Sequence, residues 1–231
     1  RLSSEMAVAT LSGHPIYIRP EELGIGTRET AEDVALTLGS YCAIIAARVF
    51  DHAVLEQMRA VSNVPVINLL SDRAHPCQGL ADVLTIRELF GSVEGRRLAY
   101  IGDGNNVTAS LAFAAALTGL ELIVSSPPGY ELDGEVVENA RNLGGSITLI
   151  QDPIEAAQGV DAVYTDVWAS MGEEAEAEER QPKQRAAAPV RMAPTPTSSS
   201  SAAGPSARRS RSCWITTASS KASARQTPTP T

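Results

Sequence analysis

The chain has 231 residues, which is enough for one large domain or two small ones with a buried core. Its net charge of −8 argues against general binding to nucleic acids or membrane surfaces. No apolar run approaches the roughly 18 residues of a membrane-spanning helix, and the three cysteines have neither metal-ligand nor disulfide spacing. This composition favours a reducing, cytoplasmic setting and excludes no class of small-molecule enzyme.

Strand-like and helix-like segments alternate along the chain up to residue 167. In chain order we predict a strand at 15–18, a helix at 31–38, a strand at 43–49, a helix at 53–61, a strand at 64–70, a helix at 76–90, a strand at 97–101, a helix at 107–117, a strand at 120–125, a helix at 133–142, a strand at 146–150, a short helix at 154–157 and a strand at 162–167. Asp51 is the predicted N-cap of the helix that begins at 53. The alternation predicts an α/β fold with parallel sheets flanked by helices.

A break at residues 91–95 divides this pattern into two predicted domains, 1–90 and 91–180, each with a parallel sheet and with a cleft between them. Residues 181–231 differ from both, because they contain eight basic residues and no Asp or Glu and consist mainly of Ser, Thr, Ala and Pro. Such a segment cannot bury enough apolar surface to offset the entropy of ordering it. We therefore expect a low-complexity, disordered C-terminal tail.

The most informative motif is His75-Pro76-Cys77-Gln78, which lies between a predicted strand and a predicted helix. Pro76 suits the first helical position, and the N–H groups of a helix start favour an anion or a polarised carbonyl. His75 and Gln78 are three residues apart and would share one helix face. These groups match a ligand that offers a carbonyl oxygen, an NH2 group and a phosphate. Taken alone, however, they are explained more simply as a helix cap and half of a capping box.

Two further motifs follow predicted strands. Gly102-Asp103-Gly104-Asn105-Asn106 contains glycines that would let the backbone approach a ligand, but it lacks the G-x-G-x-x-G spacing of a dinucleotide site. Its two amides suit a zwitterionic amino-acid head group, although Asn106 as a plain helix cap is an equally simple interpretation. The third motif runs from Asp166 to Gly172 and begins with a carboxylate that could hold an ammonium group.

Together and in this order, the three motifs resemble the ornithine carbamoyltransferases, and the resemblance extends from about residue 1 to about residue 180. The Gly-Asp-Gly-Asn-Asn and Ser-Met-Gly elements favour these enzymes over the related aspartate carbamoyltransferases. The resemblance implies a first domain that binds carbamoyl phosphate and a second that binds ornithine, both partial here. It also implies transfer of the carbamoyl group to the δ-amine of ornithine, with no metal or organic cofactor, in a cytoplasmic homotrimer of arginine metabolism.

The resemblance further assigns roles to individual residues. His75 and Arg48 would polarise the carbamoyl oxygen as it gains negative charge, and Gln78 would hold the carbamoyl NH2 group. Asn106 and Asp166 would hold the amino-acid head group. Ser170 and Met171 would lie beside that head group, whereas Cys77 is expected to pack as a small buried hydrophobe outside the site.

Two departures from the family pattern bear on activity. The phosphate-binding loop Ser-Thr-Arg-Thr, expected just before Arg1, is not in the sequence, and nothing after Arg180 resembles the family's His-Cys-Leu-Pro motif. We therefore expect little or no transferase activity from the chain as written. Other interpretations remain open: a carbamoyltransferase for putrescine or an acylated ornithine, a non-catalytic remnant that only binds a ligand or partner, and, as the weakest, a nicotinamide-dependent oxidoreductase.

We hypothesise that residues from about Gln181 onward are a frameshifted translation of a G+C-rich gene, or are otherwise mis-assembled. The reason is that the family-like sequence changes there to a sequence without acidic residues. Reading the underlying DNA in its other frames should then reveal a segment like His-Cys-Leu-Pro. If no frame contains one, the tail is genuine and the hypothesis is wrong.

Overall fold

The computed structural model describes residues 2–166 and 213–216. These residues form α1 (Leu2–Thr10), α2 (Pro20–Leu23), α3 (Ala31–Gly39), β1 (Ile45–Arg48), α4 (His52–Val61), β2 (Val66–Leu70), α5 (Pro76–Phe90), β3 (Arg97–Ile101), α6 (Asn106–Thr118), β4 (Glu121–Ser125), α7 (Gly134–Asn142), β5 (Ser146–Leu149), α8 (Pro153–Ala156), β6 (Ala162–Thr165) and β7 (Cys213–Thr216). The α/β class and the parallel sheets flanked by helices are confirmed.

The chain divides into two compact units, Arg1–Ser71 and Asp72–Thr231. This division lies before α5, whereas the sequence pattern places the domain boundary after that helix, at residues 90 and 91. The reason is the packing of α5, which buries Ile86 in the core of the second unit. The expected boundary at 90 and 91 stays a prediction.

The first unit contains one short parallel sheet, in which β1 pairs with β2. Two capped helices accompany it: the Asp33 N–H donates to Thr30 Oγ1 at 3.0 Å at the start of α3, and the Ala53 N–H donates to Asp51 Oδ1 at 2.9 Å at the start of α4. The predicted Asp51 cap is therefore confirmed. A small core forms around Ala35, Ile45 and Met58.

The strand expected at 15–18 is wrong, since residues 13–19 form no regular element. Pro15 has no N–H group to give to a sheet ladder. Neither α1 nor α2 was expected from the sequence. No residue of α1 is buried, so this helix is not one that packs an apolar face on a core.

The second unit is built on a five-stranded sheet in the order β5-β4-β3-β6-β7, with every described pair parallel. Side chains alternate between two buried faces: Leu98 and Tyr100 of β3 join the core formed with α5, α6 and α7, while Ala99 joins a smaller core with α8. Burial on both faces explains the nearly continuous apolar strands. Strand β7 belongs to the tail expected to be disordered, and the other residues of 181–231 lie outside the described residues.

Helix α5 begins against α6. The His75 N–H donates to Ser110 Oγ at 2.7 Å, and a Cβ added to Gly79 would lie 3.0 Å from the Ser110 carbonyl oxygen. Glycine at position 79 thus allows the two helix backbones to approach closely. This contact with Ser110 fixes the position of the first turn of α5 relative to α6.

A second glycine is required for backbone crossing. The Gly104 N–H donates to the Tyr130 carbonyl oxygen at 2.7 Å, and an added Cβ would lie 2.2 Å from the Leu132 nitrogen. Gly104 therefore allows close packing of another chain segment, residues 130–132. The sequence had suggested instead that this glycine allows close approach of a ligand. This packing accounts for Gly104 without a dinucleotide.

We expect Gly104→Ala to destabilise the protein by about 3 kcal/mol or more, because the new methyl group meets backbone that cannot rotate away. Urea unfolding followed by circular dichroism would measure this loss. Gly134→Ala is the matched control, since nothing lies within 4 Å of its added Cβ and its φ is not positive. That variant should be neutral or more stable by up to about 1 kcal/mol, and equal losses for both variants would contradict the account.

Candidate functional site

The N-terminus of α5 carries the first motif. His75 is the N-cap residue with φ −132° and ψ 64°, and Pro76 occupies the first turn. The His75 carbonyl oxygen accepts the N–H groups of Gln78 and Gly79 at 3.0 and 3.2 Å. The His75 side chain makes no cap hydrogen bond. The interpretation of the motif as a side-chain cap is therefore wrong, and His75 contributes to the cap through its backbone only.

Gln78 does not complete a capping box either, because its side chain bonds in the opposite direction along the helix. Gln78 Nε2 donates to Asp82 Oδ1 at 2.8 Å, across one turn of α5. Asp82 is only 3% exposed, which makes it an uncommon acidic residue. Burial of an ionisable carboxyl group is costly, so a specific interaction is expected at Asp82.

The pKa of Asp82 is raised from 3.8 to about 6, chiefly because burial disfavours the charged carboxylate. The hydrogen bond from Gln78 lowers this pKa, the negative charge of Asp166 raises it, and the nearby Tyr164 hydroxyl lowers it; the value of about 6 is their net result. The Gln78 amide, the Asp166 carboxyl and the Tyr164 hydroxyl thus all lie within electrostatic range of the Asp82 carboxyl. A carboxyl with a pKa shifted this far is a common feature of functional sites.

The second motif contributes Asn105. Asn105 Oδ1 accepts the N–H groups of Val107 and Thr108 at 3.0 and 3.2 Å and so caps α6. The suggestion that Asn106 caps this helix is wrong by one residue, since Asn106 is its first helical residue. Asn105 Nδ2 also faces Asp166 Oδ2 at 3.5 Å, near the outer limit of a hydrogen bond.

Asp166 follows β6, the strand beside β3. Because neighbouring parallel strands end at the same edge of a sheet, residues 102–105 and Asp166 meet there. Gln78, Asp82, Asn105, Tyr164 and Asp166 form one group, which we call the α5–β6 polar cluster. Each member either forms a hydrogen bond with another member or lies close enough to Asp82 to shift its pKa.

Tyr164 of the cluster packs against a second buried tyrosine in the core. The rings of Tyr100 and Tyr164 meet edge to face, with centroids 5.4 Å apart and planes at 88°. Both are at most 1% exposed. Burial, followed by the charge of Asp166, raises the pKa of Tyr100 well above its ordinary value, so its hydroxyl stays neutral. The two rings give the carboxyl groups an apolar and rigid base.

The structure brings together only part of the residue set expected from the sequence. Gln78 and Asp166 join one cluster, and His75 stands at the start of the same helix as Gln78. Arg48 lies in the first unit, where it is the exposed last residue of β1 opposite Leu70. Ser170 and Met171 lie outside the described residues.

The expectation for Cys77 is wrong, since its side chain is exposed. Sequence reasoning also assigned no role to Asp82, Asn105 or Ser110. A signal was available for Asp82, because it follows Gln78 by four residues, the spacing of neighbours on one helix face. No comparable signal was available for Ser110, whose contact with His75 joins residues 35 positions apart.

Among the described residues, no three His, Cys, Asp or Glu side chains are grouped so that they could hold a metal ion. Within the same part of the chain, every helix is too short or too polar to cross a membrane.

Two family models match the chain. The model described as aspartate/ornithine carbamoyltransferase, carbamoyl-P binding domain, matches residues 1–88, and the Asp/Orn binding domain of the same family matches residues 94–191. The second match continues past Arg180, where we expected the resemblance to end.

Relatives and solved structures agree with these matches. An ornithine carbamoyltransferase of Parafrankia is 50% identical over 184 residues, which cover 78% of this chain and 58% of that relative. An anabolic ornithine carbamoyltransferase of Pyrococcus furiosus is 47% identical over 185 residues, which cover 78% of this chain and 59% of that relative. The P. furiosus structure aligns with TM-score 0.73 over 79% of this chain and 59% of its own, at 47% identity. The anabolic enzyme of Campylobacter jejuni, 33% identical, aligns with TM-score 0.74 over 80% and 63%. The chain thus spans about three-fifths of the length of the relatives it matches.

We expect Asp82→Asn to change how stability depends on pH. Between about pH 4 and pH 6 the unfolded chain loses the Asp82 proton before the folded chain does, so the wild type loses stability as pH rises through this window. Above about pH 6 the loss in the free energy of unfolding approaches about 3 kcal/mol, which is the equivalent of a shift of about two pKa units. The variant has no titrating group there, so its stability relative to the wild type should increase by up to this amount from pH 4 to pH 7. Urea unfolding at several pH values measures it; a difference that stays constant with pH would contradict the assignment.

Proposed function

The chain belongs to the aspartate/ornithine carbamoyltransferase family, and we propose that its site serves transfer of the carbamoyl group of carbamoyl phosphate to the δ-amine of L-ornithine, giving L-citrulline and phosphate. The observation that carries this proposal is the α5–β6 polar cluster. It combines an amide and a carboxylate from two different motifs at the end of one sheet, next to the N-terminus of α5. Ornithine rather than aspartate as the acceptor is supported by the names of the relatives.

The carbamoyl end of the substrate would bind at the start of α5. Its carbonyl oxygen gains negative charge when the amine attacks, and positioned donors stabilise that charge. We assign this role to the His75 ring, and the family motif assigns the same role to Arg48. The helix N-terminus adds a favourable field for an anion, and Gln78 would bind the carbamoyl NH2 group.

The amino-acid end would bind near Asp166. A carboxylate there attracts the ammonium group of an α-amino acid, and we assign Asn106 to the same head group, with Ser170 and Met171 beside it. The attacking δ-amine must be neutral, although a free alkylamine has a pKa near 10. Holding the amine in line with the carbamoyl carbon supplies much of the rate gain. A cytoplasmic homotrimer without metal or organic cofactor completes the proposal.

Calorimetry with unreactive probes tests this proposal by binding alone. Phosphonoacetamide keeps the carbamoyl group and replaces the labile anhydride oxygen by CH2, while L-norvaline is an ornithine analogue without the δ-amine. We expect norvaline to bind at least about tenfold more tightly when phosphonoacetamide is present, because the first probe completes the second site. Gln78→Ala should remove phosphonoacetamide binding.

Glu88→Gln is the matched control, since Glu88 is exposed on α5. It should bind both probes as the wild type does. If putrescine or N-acetylornithine binds more tightly than norvaline, the acceptor is a different amine. If neither probe binds at all, the chain is not a carbamoyltransferase site but a remnant of one.

A further inference from the structure

The direction of the Gln78 side-chain amide is determined by its neighbour. A carboxylate can only accept hydrogen bonds, so the group that Gln78 turns toward Asp82 must be its NH2. The two ends of an amide point in different directions from its carbon atom. Gln78 Oε1 therefore faces away from Asp82 and is the end available to a ligand.

We propose that Asp82 is a positioning residue that fixes the Gln78 amide with its oxygen toward the substrate, so that the site selects acyl groups bearing an N–H donor. This inference rests on the proposed function and deepens it. A carbamoyl NH2 group donates to Gln78 Oε1, whereas an acyl phosphate with an oxygen or a methyl group at that position would meet an acceptor it cannot satisfy. Asp82 itself need not touch the substrate.

Asp82 is suited to this role because it is buried in the second unit. It projects from α5, is 3% exposed, and its Oδ1 accepts the hydrogen bond from Gln78. Tyr164 of β6, whose ring packs against Tyr100, lies close enough to lower the pKa of Asp82. Rotation of the carboxylate would only bring its other oxygen, which is also an acceptor, toward the Gln78 amide.

The charge of Asp82 also needs an explanation, because a buried carboxylate beside Asp166 is unfavourable. An asparagine at this position would fill the same volume without a charge. Its amide, however, offers both a donor and an acceptor, so it would permit either direction of the Gln78 amide. Only the carboxylate excludes the reversed direction, in which the Gln78 NH2 would face the ligand.

Two probes that differ in one group test the proposal. Phosphonoacetamide presents an NH2 group where phosphonoacetate presents a carboxylate oxygen. The wild type should bind phosphonoacetamide at least about tenfold more tightly, one hydrogen bond to a correctly directed acceptor being of this order. In Asp82→Asn the preference should fall to within about threefold of none, because the Gln78 amide can reverse and donate to the carboxylate. Calorimetry gives both dissociation constants.

A control and a rescue separate positioning from a general loss of structure. Glu88→Gln, which also converts a carboxylate of α5 to an amide, should keep the wild-type preference. In the double variant Gln78→Glu, Asp82→Asn the new carboxylate accepts from Asn at position 82 and again presents an acceptor to the ligand, so the preference should return. If Asp82→Asn weakens both probes by the same factor, or the double variant does not restore the preference, the proposal is overturned.

If neither probe binds, the proposed function is contradicted, but the positioning role of Asp82 can still be tested without a ligand. The same measurement serves if Asp82→Asn does not fold. Nitrogen-15 NMR of the wild type, with the Gln78 side-chain signal assigned by its loss in Gln78→Met, should show one amide proton shifted downfield. That proton should also exchange more slowly with water than the side-chain amide protons of the exposed Gln57 and Gln151. A Gln78 signal like those two would overturn the proposal.

Discussion

The close contact between α5 and α6 is the constraint on which the rest of the second unit depends. Gly79 allows the two backbones to meet at Ser110, and the hydroxyl of that serine accepts the His75 N–H. Helix α5 and its N-cap residue carry Asp82, Gln78 and His75, so one helix contact positions three polar side chains at once. A larger residue at 79 would move all of them together.

The same contact links the two ends of the site. Helix α6 is capped by Asn105, whose side chain also approaches Asp166 at the end of β6. Side chains that come from three separate motifs therefore share one rigid support made of two helices and two strands. Preorganisation of this kind is what electrostatic catalysis requires, since donors that must move before they act contribute less.

The sequence was a good guide where local chemistry decides the outcome. Helix α5 and strand β3 have the predicted bounds, because Pro76 marks the first helical position and Gly91 ends the helix with a left-handed φ of 77°. The three motifs likewise indicated which strand ends carry polar groups.

Prediction failed where tertiary contacts decide between alternatives. Adjacent asparagines at 105 and 106 have similar capping preference, and only the course of the backbone selects the first. The exposure of Cys77 depends on how α5 is rotated against its neighbours. Glycine is required at position 104 because a segment almost thirty residues later in the chain packs against it. Local sequence patterns do not reveal a contact at that sequence separation.

The nearness of Asp82 and Asp166 has a thermodynamic consequence, because each charge makes the other less favourable. Under the proposed function, an ammonium group bound beside Asp166 would offset one of these charges and lower the pKa of Asp82. The proposed amino-acid subsite and the carboxyl that holds Gln78 would thus be linked. By reciprocity, ionisation of Asp82 would strengthen the binding of a cation at Asp166 by the same factor.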